Sequence, residues 1–326
     1  MKKILALLLA LWIPAAVLSG CAPQDDSAAS NKLNIVTTIF PAYDWVREIL
    51  GDETDRAEIT TLLDSGVDLH SYQPTVDDIV KISNCDLFLY VGGESDGWVY
   101  DALKNAPNKD RKVIRLLDVL GDSAKAEETV EGMQEEEHDH EEEAEYDEHI
   151  WLSLKNAQVL VAAISEVLQE SDPARKDTYA ANAAAYAEKL SALDGEYRAA
   201  VDSGKYKTLL FGDRFPFRYL ADDYGLDYYA AFPGCSAETE ASFETVSFLA
   251  RKMDALGLPC VLTIEGTQHK IAETIVQNTA QKNQQILTMD SMQAVTANDA
   301  SSGVSYLSIM EKNLSVLKKA LGQEAE

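Results

Sequence analysis

Apolar and polar positions along the chain follow two rhythms in turn. Short apolar runs, Asn34 to Ile39 (NIVTTI), Ala57 to Leu62 (AEITTL), Cys85 to Val91 (CDLFLYV) and Val113 to Leu116, have the length and β-branched character of strands. Between them come segments with helical spacing. AYDWVREIL follows Phe40-Pro41, and TVDDIVKIS follows Pro74, with Thr75 placed as N-cap and Asp78 at the capping-box position. The alternation resumes in the second half with Lys207 to Phe211, Asp227 to Phe232, Cys260 to Ile264 and Gln285 to Met289, and a last helix spans roughly Ser305 to Leu321. Strands alternating with helices predict parallel sheets with crossover helices.

Between the two alternating regions the rhythm is helical only. NAQVLVAAISEVLQE reads as one amphipathic helix. Pro173 opens a second that runs almost to Ser203, with Gly195 its only glycine. Roughly thirty residues at 1.5 Å each make a rod of about 45 Å. The predicted fold is α/β: two lobes, each with a parallel sheet flanked by helices, joined by one long backbone helix. The boundaries are a leader over 1–20, a tether over 21–33, a first lobe over 34–155, connecting helices over 156–204 and a second lobe over 205–326. Phe-Pro follows the first strand of both lobes, at Phe40-Pro41 and Phe215-Pro216, a faint echo of duplication.

The leader combines Lys2 and Lys3, an apolar run from Ile4 to Val17, and LSGC ending at Cys21. This is the pattern of a bacterial lipoprotein signal, in which Cys21 becomes the lipidated N-terminus. The expected location is extracytoplasmic, on the outer face of the cell membrane, held by lipid. Cys85, Cys235 and Cys260 are too few for a disulfide framework.

Charge narrows the partners. The formal net charge of -27 argues against nucleic acid, which calls for a basic surface. Nearly half of it is local, because residues 121–148 hold fourteen acids and one Lys. So polar a stretch predicts disorder. Its last part and the residue after it read EEEHDHEEEAEYDEH, Glu135 to His149, in which His138, His140 and His149 are all possible metal ligands.

Open parallel sheets bind ligands beyond the carboxyl ends of their strands. His70 follows the second strand, Asp213 and Arg214 follow KTLLF, Glu265 follows CVLTI, Asp290 follows QILTM, and His149 stands where the chain leaves the first lobe. Each has an ordinary alternative: a hydrogen-bonded surface His, an Asp capping the next helix, a Glu paired with Lys. Position alone makes a metal site plausible.

The local sequences carry a resemblance. GVDLHSYQPTVDDIVKISNCDLFLYVGG, EHIWLSLKNA, KTLLFGDRFPFRYLADDYGL and ILTMDSM resemble, in order, four motifs of the zinc and manganese solute-binding proteins of ABC importers. The final YLSIMEKNLSVLKKAL is similar to the family's C-terminal helix. The likeness runs from about Asn34 to Leu321, interrupted by the acidic segment. It implies metal ligands at His70, His149, Asp213 and Asp290. One position departs. The family places His or Glu three residues before the Phe of the third motif, and that position here is Arg214, which cannot ligate a metal. Asp213, one residue earlier, is the expected substitute. The alternative is Glu265 or water, with Arg214 paired to a carboxylate.

Imidazole and carboxylate together suit Zn²⁺, with Mn²⁺ as the alternative. His138 and His140 are read either as a mobile collector of metal or as part of a solvated insertion. The implied function is capture of Zn²⁺ in the interlobe cleft by a monomer, and its delivery to an ABC permease with its ATPase. Both partners are other chains, since no Walker pattern is present. The expectation is a binding protein and not an enzyme. A secreted metallohydrolase is the competing class and would need an open coordination position and a general base; no HExxH pattern is present. An adhesin or surface structural protein is the third class, which nothing in the sequence tests.

Overall fold

In the first lobe, strands β1 (Leu33–Thr37), β2 (Ala57–Thr61), β3 (Leu87–Tyr90) and β4 (Lys112–Arg115) form one parallel sheet in the order β2-β1-β3-β4. Helices α1 (Phe40–Leu50), α2 (Val76–Asn84), α3 (Val99–Lys104) and α4 (Leu116–Leu120) lie among them. The computed structural model describes residues 32–104, 106–134, 145–236, 240–266 and 269–323. The expected capping box at the start of α2 is present: Thr75 Oγ1 accepts from Asp78 N, and Asp78 Oδ2 accepts from Thr75 N.

The chain then passes through α5 (Leu154–Ser171) and α6 (Lys176–Ser203). The second sheet holds β5 (Thr208–Phe215), β6 (Asp227–Pro233), β7 (Cys260–Thr263) and β8 (Gln285–Thr288) in the order β6-β5-β7-β8, again all parallel. Its helices are α7 (Arg218–Tyr224), α8 (Phe243–Leu256), α9 (Lys270–Asn278), α10 (Ala297–Ser301) and α11 (Tyr306–Ala320). The two sheets therefore repeat one strand order, which gives the Phe-Pro echo a topological counterpart.

Helix α6 has 28 residues, about 42 Å of rod. Its buried positions, Tyr179, Ala183, Tyr186, Leu190, Leu193, Tyr197, Ala200 and Val201, recur at spacings of three and four, so one stripe faces inward along its length. That stripe meets both lobes. Asn182 Nδ2 donates to Ile49 O of α1, and Tyr197 OH donates to Met310 O of α11. Behind the cleft the lobes share one apolar core in which Trp45, Trp151 and Tyr306 are fully buried. A second apolar cluster, from Leu210 to Val276, fills the space under α8 and α9.

The acidic segment corrects the expected disorder over 121–148 at both ends. Residues 121–134 and 145–148 are ordered, and the first stretch runs across the second lobe as a strap. Gln134 N donates to Ala231 O on edge strand β6, Cys235 N donates to Glu127 Oε1, and Glu131 pairs with Lys252. Arg218 meets both Ala126 O and the Glu128 carboxylate. The physical reason is that the acids are not alone: cations of the second lobe face them, and Met133 is buried as an apolar anchor. His138 and His140 lie outside the described residues, as does Cys21.

Candidate metal centre

His70 is placed by its neighbours. Leu69 is buried and anchors a single 3₁₀ turn, Leu69–Ser71. Asp68 caps that turn, its Oδ1 accepting from His70 N at 2.9 Å. This presents the imidazole between the lobes with its two nitrogens in different surroundings. Nδ1 lies 2.9 Å from Ser95 Oγ and 3.4 Å from Glu148 Oε2. Nε2 lies 3.1 Å from Nε2 of His149.

His149 is fully buried. The turn that follows it, Ile150–Leu152, is buried throughout and wedges between the lobes, with Trp151 Nε1 donating to Ser291 O at 2.8 Å. Asp147 Oδ1 accepts from His149 N at 2.8 Å and lies 3.0 Å from Nδ1. A carboxylate there holds the proton on Nδ1 and leaves Nε2 with its lone pair. Close packing sets this ring. A Cβ on Gly234 would stand 3.2 Å from the His149 ring and 2.9 Å from Phe215 O, so only glycine fits without displacement. Gly93 does the same for Glu148, whose Oε1 a Cβ would meet at 2.1 Å; that oxygen accepts from Ser95 N at 2.8 Å. The last two acids of the charge run, Asp147 and Glu148, are thus buried braces for the two imidazoles.

With the Nδ1 protons directed at the groups behind the rings, the two Nε2 lone pairs face each other at 3.1 Å, a contact that a proton shared between them or a metal ion relieves. Two nitrogens bound at about 2.05 Å to a tetrahedral zinc are about 3.3 Å apart, close to this separation. His70 is also held in the form a metal needs. Burial, the His149 ring and the Arg214 guanidinium outweigh the pull of Asp68 and hold His70 down to about 3, so the ring is neutral at pH 7. Burial pushes Glu148 up to about 7 against the hydrogen bonds from Ser95.

The other expected residues stand apart from this pair. Strand β5 runs past Phe211 to Phe215, with a register shift between Phe211 and Arg214, so Asp213 sits inside the strand and not beyond it. Its Oδ1 accepts from Arg214 N and its Oδ2 from Ile264 N at 3.4 Å, and burial pushes its pKa up. Glu265 is occupied by the turn after β8: it accepts from Ser291 N, Ser291 Oγ and Gln293 N. Asp290 stands beside it at the end of β8, with Asn313 bonded to its backbone N and O and with Oδ1 accepting from Met292 N. Burial, then Glu265, raise its pKa to about 6.

Arg214 pairs with a carboxylate, Asp68 Oδ2, at 2.6 Å across the cleft, and its other nitrogen donates to Ser236 O at 3.2 Å. Against its burial, this arginine draws Asp68 below its ordinary value. Among the described residues, the group of His, Cys, Asp and Glu whose ligand atoms all lie within 4.8 Å of one another is His70, His149 and Cys235. Cys235 was absent from the candidate set. The signal that finds it is the one that found the others, a ligand-type side chain just beyond the carboxyl end of a parallel strand, here β6.

The spelling GESDG over Gly93–Gly97 fits the nucleophile-elbow consensus, so the hydrolase class has a serine to examine. Its geometry is wrong for that role. Ser95 lies in a three-residue 3₁₀ turn, and its N–H is already donated to Glu148. Its hydroxyl meets the braced Nδ1 of His70, while the outward Nε2 faces His149. Ser95 orients the ring.

Comparison with known proteins points to one family. The family model described as zinc-uptake complex component A, periplasmic, matches residues 35–320. A zinc-binding lipoprotein, AdcA, of Streptococcus pneumoniae serotype 4 is 33% identical over 99% of this chain and 62% of its own length. The chain therefore spans about three fifths of that curated relative. The high-affinity zinc uptake system protein ZnuA of Bacillus subtilis strain 168 is 29% identical over 89% of this chain and 88% of its own. The crystal structure of the Zn(II)-bound ZnuA-like domain of Streptococcus pneumoniae AdcA superposes with a TM-score of 0.70 at 30% identity, covering 90% of this chain and 100% of that domain.

Proposed function

The chain belongs to the periplasmic zinc-uptake complex component A family, whose members are solute-binding components rather than enzymes, and from that premise we propose that it captures a divalent metal ion, Zn²⁺ first, as cargo. The observation that carries the reading is the pair of imidazoles, Nε2 to Nε2 at 3.1 Å, each braced from behind. His70 comes from the first lobe and His149 from the junction, and both face the second lobe. Asp290, at the end of β8, is the carboxylate assigned in this reading to join the imidazoles around an ion. Asp213 and Glu265 are held by backbone donors and serve the frame around the site.

The family and the leader support the rest of the proposed transport cycle. The protein is exported, tethered through lipid on Cys21, works as a monomer outside the cytoplasm, and passes its ion to an ABC permease powered by a separate ATPase. Among the described residues no helix is long and apolar enough to cross a membrane. Manganese is the alternative cargo.

The test is titration of the metal-free protein with Zn²⁺ and with Mn²⁺ in the presence of a competing chelator. One tight zinc equivalent is expected, with zinc preferred over manganese as the affinity order for N/O sites requires. His70→Ala and His149→Ala should each weaken it by about 100-fold or more, since each removes a ligand atom. Tight binding that survives both changes contradicts the reading.

A further inference from the structure

We propose that Cys235 is a metal ligand, completing a two-imidazole, one-thiolate set with His70 and His149 and making the cargo a thiophilic divalent ion. The inference rests on the capture reading above and deepens it by naming a ligand and the class of ion it selects.

Three observations carry it. The sulfur and the two imidazole nitrogens lie within 4.8 Å of one another, the grouping of ligand atoms that the described residues offer at this cleft. In a tetrahedral zinc site the nitrogen–sulfur separation is about 3.5 Å, from bonds of about 2.05 and 2.3 Å, so a side-chain rotation of roughly 1 Å brings the sulfur home. Second, the loop carrying the thiol is fastened for this position. Cys235 N donates to Glu127 Oε1, Gly234 packs on the His149 ring, and Ser236 O accepts from Arg214. Third, Arg214 also holds Asp68, which caps the turn of His70. One guanidinium thus ties the two ligand loops, one from each lobe, and leaves the ligand position itself to the neighbouring strand end. Cys235 has no disulfide partner, and the remaining cysteines of the described residues, Cys85 and Cys260, are buried.

Chemically, the thiol loses its proton to solvent as the metal–sulfur bond forms, and the ion takes its place. A thiolate favours Zn²⁺ over Mn²⁺ more strongly than a carboxylate does. The ligand set therefore narrows the choice of metal that two imidazoles and carboxylates leave open.

The test uses Co²⁺ as a spectroscopic stand-in for zinc in the full-length protein. The wild type should bind one equivalent and show the thiolate-to-cobalt charge-transfer absorption in the near ultraviolet. Cys235→Ser and Cys235→Ala, each with an unchanged apo melting curve, should lose that absorption and bind zinc about 10- to 100-fold more weakly, with a smaller loss for Mn²⁺. A one-to-one cobalt complex without the charge-transfer band, or a band that persists in both variants, overturns the ligand while leaving metal capture standing. Failure of the wild type to bind cobalt or zinc at all overturns capture and ligand together.

Discussion

At the scale of single residues, the cleft separates two side chains that face each other from those that hold them. His70 and His149 were legible because each stands where a parallel strand or lobe ends, within a motif of apolar anchors: Leu69 beside the first, Ile150 to Leu152 after the second. Their braces were not legible. Asp147 and Glu148 sit at the end of a run of acids with the composition of a solvated loop, and only the fold shows that both are buried. Cys235 had the strand-end signal, two residues beyond β6, but stands outside the four motifs that carry the family resemblance. Because Asp147 fixes the tautomer and angle of His149, Asp147→Ala should lower zinc affinity by about 10- to 100-fold while the one-to-one stoichiometry is kept. Isothermal titration against the wild type reads both, and an unchanged affinity would mean that packing alone orients the ring.

At the scale of elements, the two strand–helix series and the long helix were readable from period alone, because the strands are short apolar runs and α6 keeps a regular buried stripe over 28 residues. What period cannot show is pairing to a distant partner. Strap residues 124–134 have neither helix nor strand rhythm, and they are ordered by cations on α7 and α8 that lie about a hundred residues away in sequence. Strand β5 likewise overran its expected end at Phe211, carrying Asp213 and Arg214 into the sheet through a register shift. Within α6, Gly195 is exposed, and a Cβ there would meet no atom within 4 Å. Gly195→Ala should therefore stabilise the protein by about 0.5–1 kcal/mol through helix propensity, with zinc affinity unchanged. Chemical denaturation measures the first and metal titration the second. A loss of stability would mean that the helix uses the glycine for a bend or a contact.

At the scale of the molecule, the lobes are bound into one body behind the cleft. Tyr306 N donates to Asp44 Oδ2, Tyr306 OH donates to Trp151 O, and Trp151 Nε1 donates to Ser291 O, so α1, the turn after His149 and the loop after Asp290 share one buried chain of hydrogen bonds. Such a connection restrains the lobes to small adjustments around an ion. It also carries a pH signature. Burial raises Asp44 to about 6, above its unfolded value, so this group's contribution to stability is complete below about pH 4 and is lost as pH climbs through 6. Asp44→Asn keeps an acceptor for Tyr306 N but does not titrate. Relative to wild type it should gain on the order of 2 kcal/mol between pH 4 and pH 7 in urea denaturation of the metal-free protein. Parallel profiles for the two proteins would place the carboxylate's proton elsewhere. Anomalous diffraction at the zinc edge, from crystals of the zinc-loaded protein, locates the ion relative to the two imidazoles. One strong peak is expected in the cleft, about 2.0–2.1 Å from Nε2 of both His70 and His149. A zinc-loaded crystal whose peak lies away from both rings, with their Nε2 atoms still facing each other, contradicts it.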